Sequence, residues 1–188
     1  LVRSRGLGEV YKRQGYEISC DAGNAEALAR LLLSHETVAP IGLGARVSLR
    51  LEAGLCLYGH DSDRSTTPVE AGLLWSIGKR RREEGGFLGA AVVQRQIAEG
   101  VTRRRVGIQP NGRAPVREGA GLFDKDGAEI GAVTSGGFGP SVGRPVAMGY
   151  VETRSAKVGT VVQAEVRGKT HEATVARMPF VEQRYYKK

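Results

Sequence analysis

From residue 101 onward the chain is written as short strands separated by turn signals, and this pattern limits the possible folds more than any other. Residues 101–109, 121–123, 129–134, 146–152, 161–166 and 173–178 have the β-branched and apolar character of strands. Asp126-Gly127 and Gly168-Lys169 are dipeptides that favour hairpin turns. Val162, Ala164 and Val166 alternate with polar neighbours, so one face of that strand is expected inside and the other in water. Several short strands at this spacing predict a small antiparallel β-barrel.

Upstream the period changes. Residues 15–20 read as a strand, and Asp21 or Asn24 is placed to cap the helix that follows. Ala25, Leu28, Leu31 and Leu32 give that helix one apolar face, and Pro40 blocks its continuation. A second helix is predicted over 42–53, where Leu43, Val47 and Leu51 form a stripe at i, i+4 and i+8. Arg46 and Arg50 are also four apart beside that stripe. They could be surface charges or could line a cleft for carboxylates, and the spacing leaves both open. Gly54 suits the position after the helix. Residues 55–68 read as a polar loop. The run Lys79-Arg80-Arg81-Arg82-Glu83-Glu84 then leads to Gly85-Gly86, a candidate seam, before a last helix over 90–98. The expected class is α+β, with an α/β part over 15–85 and a barrel domain over 86–188.

Charge and chemistry narrow the function less. A net charge of +8 and a pI near 9.8 favour anionic partners. The aromatic content is only 6%, and no aromatic residues interleave with Lys79–Arg82 or Arg103–Arg105 as a single-strand nucleic-acid face requires. Both runs read better as solvated faces. No apolar run approaches the roughly 18 residues of a membrane span, so neither nucleic acid nor membrane is an expected partner. Cys20 and Cys56 fit no metal or redox spacing, and a cytoplasmic compartment is the default expectation. His35, His60 and His171 lie in three separate segments, so no metal site is expected. His60-Asp61-Ser62-Asp63 holds dyad-like residues, but on one short loop they are better read as a hydrogen-bonded turn. Ser135-Gly136-Gly137-Phe138-Gly139-Pro140-Ser141-Val142-Gly143 is glycine-rich but lacks the phosphate-loop pattern, and it reads as a tight connection between strands.

Longer motifs carry a resemblance. Gly42-Leu43-Gly44-Ala45-Arg46 and the run from Ser48 to Asp61 resemble the signature segment of aminomethyltransferase, the T-protein of the glycine cleavage system. Thr66-Thr67-Pro68-Val69-Glu70-Ala71-Gly72-Leu73, Gly85-Gly86-Phe87, Thr134-Ser135-Gly136-Gly137-Phe138-Gly139-Pro140-Ser141 and Met178-Pro179-Phe180-Val181 are similar to it in the same order. The resemblance implies folate-dependent transfer of a methylene group to tetrahydrofolate, with release of ammonia. The donor is an aminomethyl group on the lipoylated H-protein of the glycine cleavage system. It implies folate contacts at Glu17, whose carboxylate can accept the paired N–H groups of a pterin edge, at Arg46, whose planar fork suits a carboxylate or carbonyl, and at Tyr185.

Some positions depart from the family. Val47 stands where the family has an aspartate, and Leu88 where proline is common. The half of the family's chain that carries its catalytic aspartate has no counterpart, so no catalytic residue is expected here. Gly6-Leu7-Gly8-Glu9-Val10-Tyr11-Lys12-Arg13-Gln14 looks like translated adapter sequence. Residues 1–14 are accordingly expected to be a non-native leader on a C-terminal fragment. Two other readings are the folate-binding tail of a sarcosine- or dimethylglycine-oxidising enzyme and a basic nucleic-acid-binding module.

Overall fold

The structure is a computed structural model that describes residues 3–6 and 16–182; at 3–6, 16 and 17 the description covers the backbone. Two compact units result, one ending at Arg46 and the other running over Val47–Glu182.

In the first unit, β1 (Arg3–Gly6) pairs antiparallel with β2 (Tyr16–Ser19). A 3-10 turn leads into α1 (Ala25–Leu33), where Asn24 occupies the cap position without a side-chain capping bond. The apolar face predicted for α1 exists, but it is not buried among the described residues: Leu31 is 69% exposed, and Leu32 and Leu33 are exposed as well. Glu26 and Arg30 pair across one turn at 2.6 Å, on side chains that are open to solvent. Such a pair contributes a few tenths of a kcal/mol.

The next helix, α2 (Leu43–Glu52), starts in the first unit and ends in the second. Its predicted stripe sinks along its length. Leu43 is 75% exposed, Val47 is half-buried and Leu51 is only 2% exposed. Further on, the basic-acidic run forms a short helix, α3 (Lys79–Glu84), where the sequence pattern indicated only a seam. Two of its arginines hold carbonyls at its ends: Arg82 Nε donates to Ile77 O at 2.6 Å and Arg81 Nη1 to Gly85 O at 3.5 Å. The glycines after it, Gly85 and Gly86, take positive φ and turn the chain into α4 (Ala90–Glu99).

Six strands then close a barrel: β3 (Arg103–Pro110), β4 (Gly121–Phe123), β5 (Glu129–Gly139), β6 (Arg144–Glu152), β7 (Val161–Val166) and β8 (Lys169–Ala176). Their order around the barrel is β3-β6-β5-β4-β7-β8, all neighbours are antiparallel, and β8 returns to β3. The predicted antiparallel barrel is therefore observed, with three strands, β5, β6 and β8, longer than their apolar text indicated. The β7–β8 turn is Arg167-Gly168, one residue before the predicted pair, because both residues take positive φ and Val166 faces Lys169. The strand expected to stop at 134 continues to Gly139 through the glycine-rich stretch.

Glycine is needed there for space. A Cβ on Gly136 would lie 1.9 Å from the carbonyl oxygen of Val116. The interior is filled by Ile108, Leu122, Val133, Val151, Val162 and Val175, each 2% exposed or less. A second apolar layer lies outside the barrel wall, where Leu51 of α2 packs with Val146 and Met148 of β6 under Met178 and Phe180. The strand β6 is therefore buried on both faces, as a strand sandwiched between two layers must be.

The tight fit at Gly136 predicts that Gly136→Ala destabilises the barrel by about 1–3 kcal/mol through forced backbone displacement. Gly112→Ala, at a position with open space, should stay within about 0.5 kcal/mol of the parent. Urea unfolding midpoints of the two variants check this.

Candidate functional site

Three acidic residues tie α2 and the loop after it to the barrel. The first is Asp61, at 1% exposure. Arg50 Nη1 of α2 donates to its Oδ2 at 2.6 Å, and the Leu57 amide donates to the same oxygen at 2.9 Å. Thr134 Oγ1 of β5 donates to Oδ1 at 2.6 Å, and the Tyr150 hydroxyl of β6 donates to the Asp61 carbonyl at 2.7 Å. A buried carboxylate is costly unless paired and hydrogen-bonded, and here both oxygens are satisfied. Burial pushes the Tyr150 phenol up to about 12, with the nearby Cys56 adding to the effect, so it remains a donor throughout the physiological range.

The second is Glu52, the last residue of α2 and also 1% exposed. Its Oε1 accepts from the amides of Ser141 at 2.6 Å and Val142 at 3.0 Å, and its Oε2 from Ser141 Oγ at 2.8 Å. The glycine-rich turn does form an anion-binding nest of backbone amides, and the anion in it is a carboxylate of the same chain.

The third is Glu70. Thr67 N donates to its Oε2 at 2.9 Å and Arg103 Nε to its Oε1 at 3.1 Å. Arg103 also lies 4.9 Å above the Tyr150 ring, within cation–π range. Arg105 is buried, donating to Ala71 O at 2.8 Å and Gly54 O at 2.9 Å. The solvated face expected for Arg103–Arg105 is thus not what this run forms, because Arg105 is buried and Arg103 is committed to Glu70. Around Glu70, burial raises the carboxyl pKa, but hydrogen bonds from Thr67 and the Arg103 charge outweigh it and hold it below the ordinary value.

Of the three residues that the family resemblance implies as folate contacts, only Arg46 has a described side chain. Arg46 is exposed on α2 and has no ion-pair partner among the described residues. Glu17 belongs to β2 by its backbone, opposite Arg5, and its side chain lies outside the described residues, as does all of Tyr185. Of the two arginines on α2, Arg50 binds a carboxylate of its own chain, and Arg46 binds none among the described residues. The His60–Asp63 loop forms no triad: Asp61 is committed to Arg50, His60 Nδ1 meets Glu118 at 2.7 Å, and Asp63 accepts from the Ser65 amide at 2.8 Å. No group of three or more His, Cys, Asp or Glu side chains able to hold a metal occurs among the described residues. Sequence reasoning missed the roles of Glu52, Asp61 and Glu70; Asp61 and Glu52 bond partners more than 70 residues away, beyond any local pattern.

Asp61→Ala is expected to cost about 3–5 kcal/mol, because it leaves Arg50 buried without its counter-charge. Thr134→Val, which removes one neutral donor, should cost about 1–3 kcal/mol. Denaturant titration gives both values. Glu70 supplies an acid-side dependence. Its folded pKa is depressed, so its stabilisation is present above the ordinary carboxylate value and is lost as pH falls through the depressed one. Thermal unfolding of Glu70→Gln over an acid pH series should therefore show a shallower loss than the parent.

The same segments match known proteins. Residues 103–182 fit the family described as the glycine cleavage T-protein C-terminal barrel domain, and residues 11–81 fit the GCVT N-terminal domain. The mitochondrial aminomethyltransferase of Solanum tuberosum is 54% identical over 100% of this chain and 45% of its own length. That of Gallus gallus is 52% identical over 92% of this chain and 44% of its own. The crystal structure of the glycine cleavage system aminomethyltransferase T from Bartonella henselae superposes with a TM-score of 0.87 at 50% identity, covering 94% of this chain and 49% of that one. The chain thus spans about half the length of the curated relatives it matches. The mitochondrial names of the relatives overturn the cytoplasmic expectation. That expectation rested on two cysteines, which separate reducing from oxidising compartments but not one reducing compartment from another. The α2 segment, the loop after it and the barrel are all matched in order, and the chain belongs to the glycine cleavage T-protein family of aminomethyltransferases.

Proposed function

We propose that this chain serves aminomethyl transfer in glycine cleavage. In this reading the methylene group of an aminomethyl group on the lipoyl arm of the H-protein passes to tetrahydrofolate, and ammonia is released. Tetrahydrofolate supplies, when bound, the amine nitrogens that take up the methylene group.

The observation that carries the reading is the division of labour on α2 in a chain of this family. Arg50 is buried and neutralised by Asp61 at 2.6 Å. Arg46, one turn earlier, keeps its planar fork exposed and without an ion pair among the described residues. A guanidinium held on a rigid helix and left unspent fits a ligand carboxylate or carbonyl, which folate offers. Glu17 would accept the paired N–H donors of the pterin, and Tyr185 would reach the same ligand. The net charge of +8 would draw in anionic folate and an acidic protein partner such as the H-protein. The names of the relatives support a mitochondrial place of action.

Titrating tetrahydrofolate into the chain by calorimetry tests this. Saturable binding is expected, weakened roughly tenfold or more in Arg46→Ala, the scale of one charge-assisted hydrogen-bonded contact. Arg64→Ala, an exposed arginine outside the matched arginine motif, should bind as the parent does. Equal affinity of parent and Arg46→Ala would rule out the assigned role of Arg46.

A further inference from the structure

We propose that the barrel carries a second anion site, separate from the folate contacts, in the gap where β3 and β6 part. The two strands are paired from Arg103 opposite Glu152 to Ile108 opposite Ala147. Beyond that point they diverge. Gln109 and Pro110 pair with Thr174 and Ala173 of β8, while Pro145 and Arg144 pair with Phe138 and Gly139 of β5. The gap opens into a cleft of about 720 Å³, with Arg113 of the following loop also in its lining.

Two guanidiniums line this cleft, and neither is neutralised by a carboxylate among the described residues. The Gln109 carboxamide reaches across the gap; a guanidinium can only donate, so the amide is oriented with its oxygen toward Arg144, accepting from Nε at 3.2 Å and Nη1 at 2.8 Å. The contact fixes the Arg144 fork with an uncharged acceptor, so orientation is gained and the positive charge is kept. Neither Arg113 nor Arg144 has an ion-pair partner among the described residues. Glu172 accepts from the Asn111 carboxamide through its Oε1 at 2.5 Å and forms no ion pair with either arginine. Phe138, 52% exposed, and Pro145 supply an apolar wall. An apolar wall lowers the local dielectric and strengthens attraction between the arginines and an anion.

A pre-oriented arginine, a second arginine in the same lining and an apolar wall together suit a small molecule with adjacent oxyanions, either phosphates or carboxylates. The described lining does not include Arg46, and the probes used here are not folates, so the outcome is read independently of the folate reading.

Calorimetric titration with pyrophosphate and, separately, with citrate is the test. The site predicts saturable binding of at least one of them to the parent chain. Arg113→Gln and Arg144→Gln should each weaken it roughly tenfold, and the double variant should abolish it. Arg80→Gln, on α3, should leave it unchanged. Binding of pyrophosphate alone assigns a phosphate ligand; binding of citrate alone assigns a carboxylate one. Absence of saturable binding to both probes overturns the proposal. So does an undiminished affinity in the double variant, or an equal loss in Arg80→Gln, since either would mark diffuse charge attraction. All four variants change exposed side chains, and an unshifted melting temperature verifies that each is folded.

Discussion

The buried contact between Arg50 and Asp61 is the constraint on which the second unit turns. Desolvating the two charges costs several kcal/mol, and their attraction repays this only when the remaining lone pairs are also met. Asp61 meets that condition by drawing on three separate parts of the chain: the end of α2, the amide of Leu57, and Thr134 on the barrel wall. The net contribution of such a pair to stability is small. Its effect is to fix register. A slip of α2 by one residue would leave a buried charge alone, whereas a slip of purely apolar surfaces would only repack them.

Glu52 and Glu70 repeat the theme at two other stations. Glu52 binds the turn between β5 and β6, and Glu70 binds β3 through Arg103. One continuous segment thereby holds three places on the barrel with three carboxylates. Between them lies the outer apolar layer of Leu51, Val146, Met148, Met178 and Phe180. The apolar layer supplies non-directional burial, and the carboxylates decide where it sits.

This division explains what could be read in the sequence. The barrel was legible because its strands alternate and its turns use glycine at positive φ. The α2 stripe was legible from its period, but its one-ended burial was not, since period says which side is apolar and not what covers it. The extension of β5 to Gly139 was hidden because glycines lack strand character. At Gly136 the reason for glycine is the closeness of Val116 O, a contact made only in the folded state. The same holds for the site. Arg46 and Arg50 look equivalent at four-residue spacing, and only a carboxylate eleven residues downstream of Arg50 separates them. The carboxylate latches were invisible for the same reason, since their partners lie far along the chain.

Closure of the barrel carries one more consequence. In the ring β3-β6-β5-β4-β7-β8 every strand has a neighbour on both sides. Where the strands are paired, the ring therefore offers no row of free backbone groups along which a foreign strand could be added; the parted ends of β3 and β6 are the exception. Aggregation by edge pairing is suppressed for this domain, and recognition at its wall must pass through side chains and loop tips. Specificity can then change by surface substitution alone, with the hydrogen-bonded ring left intact.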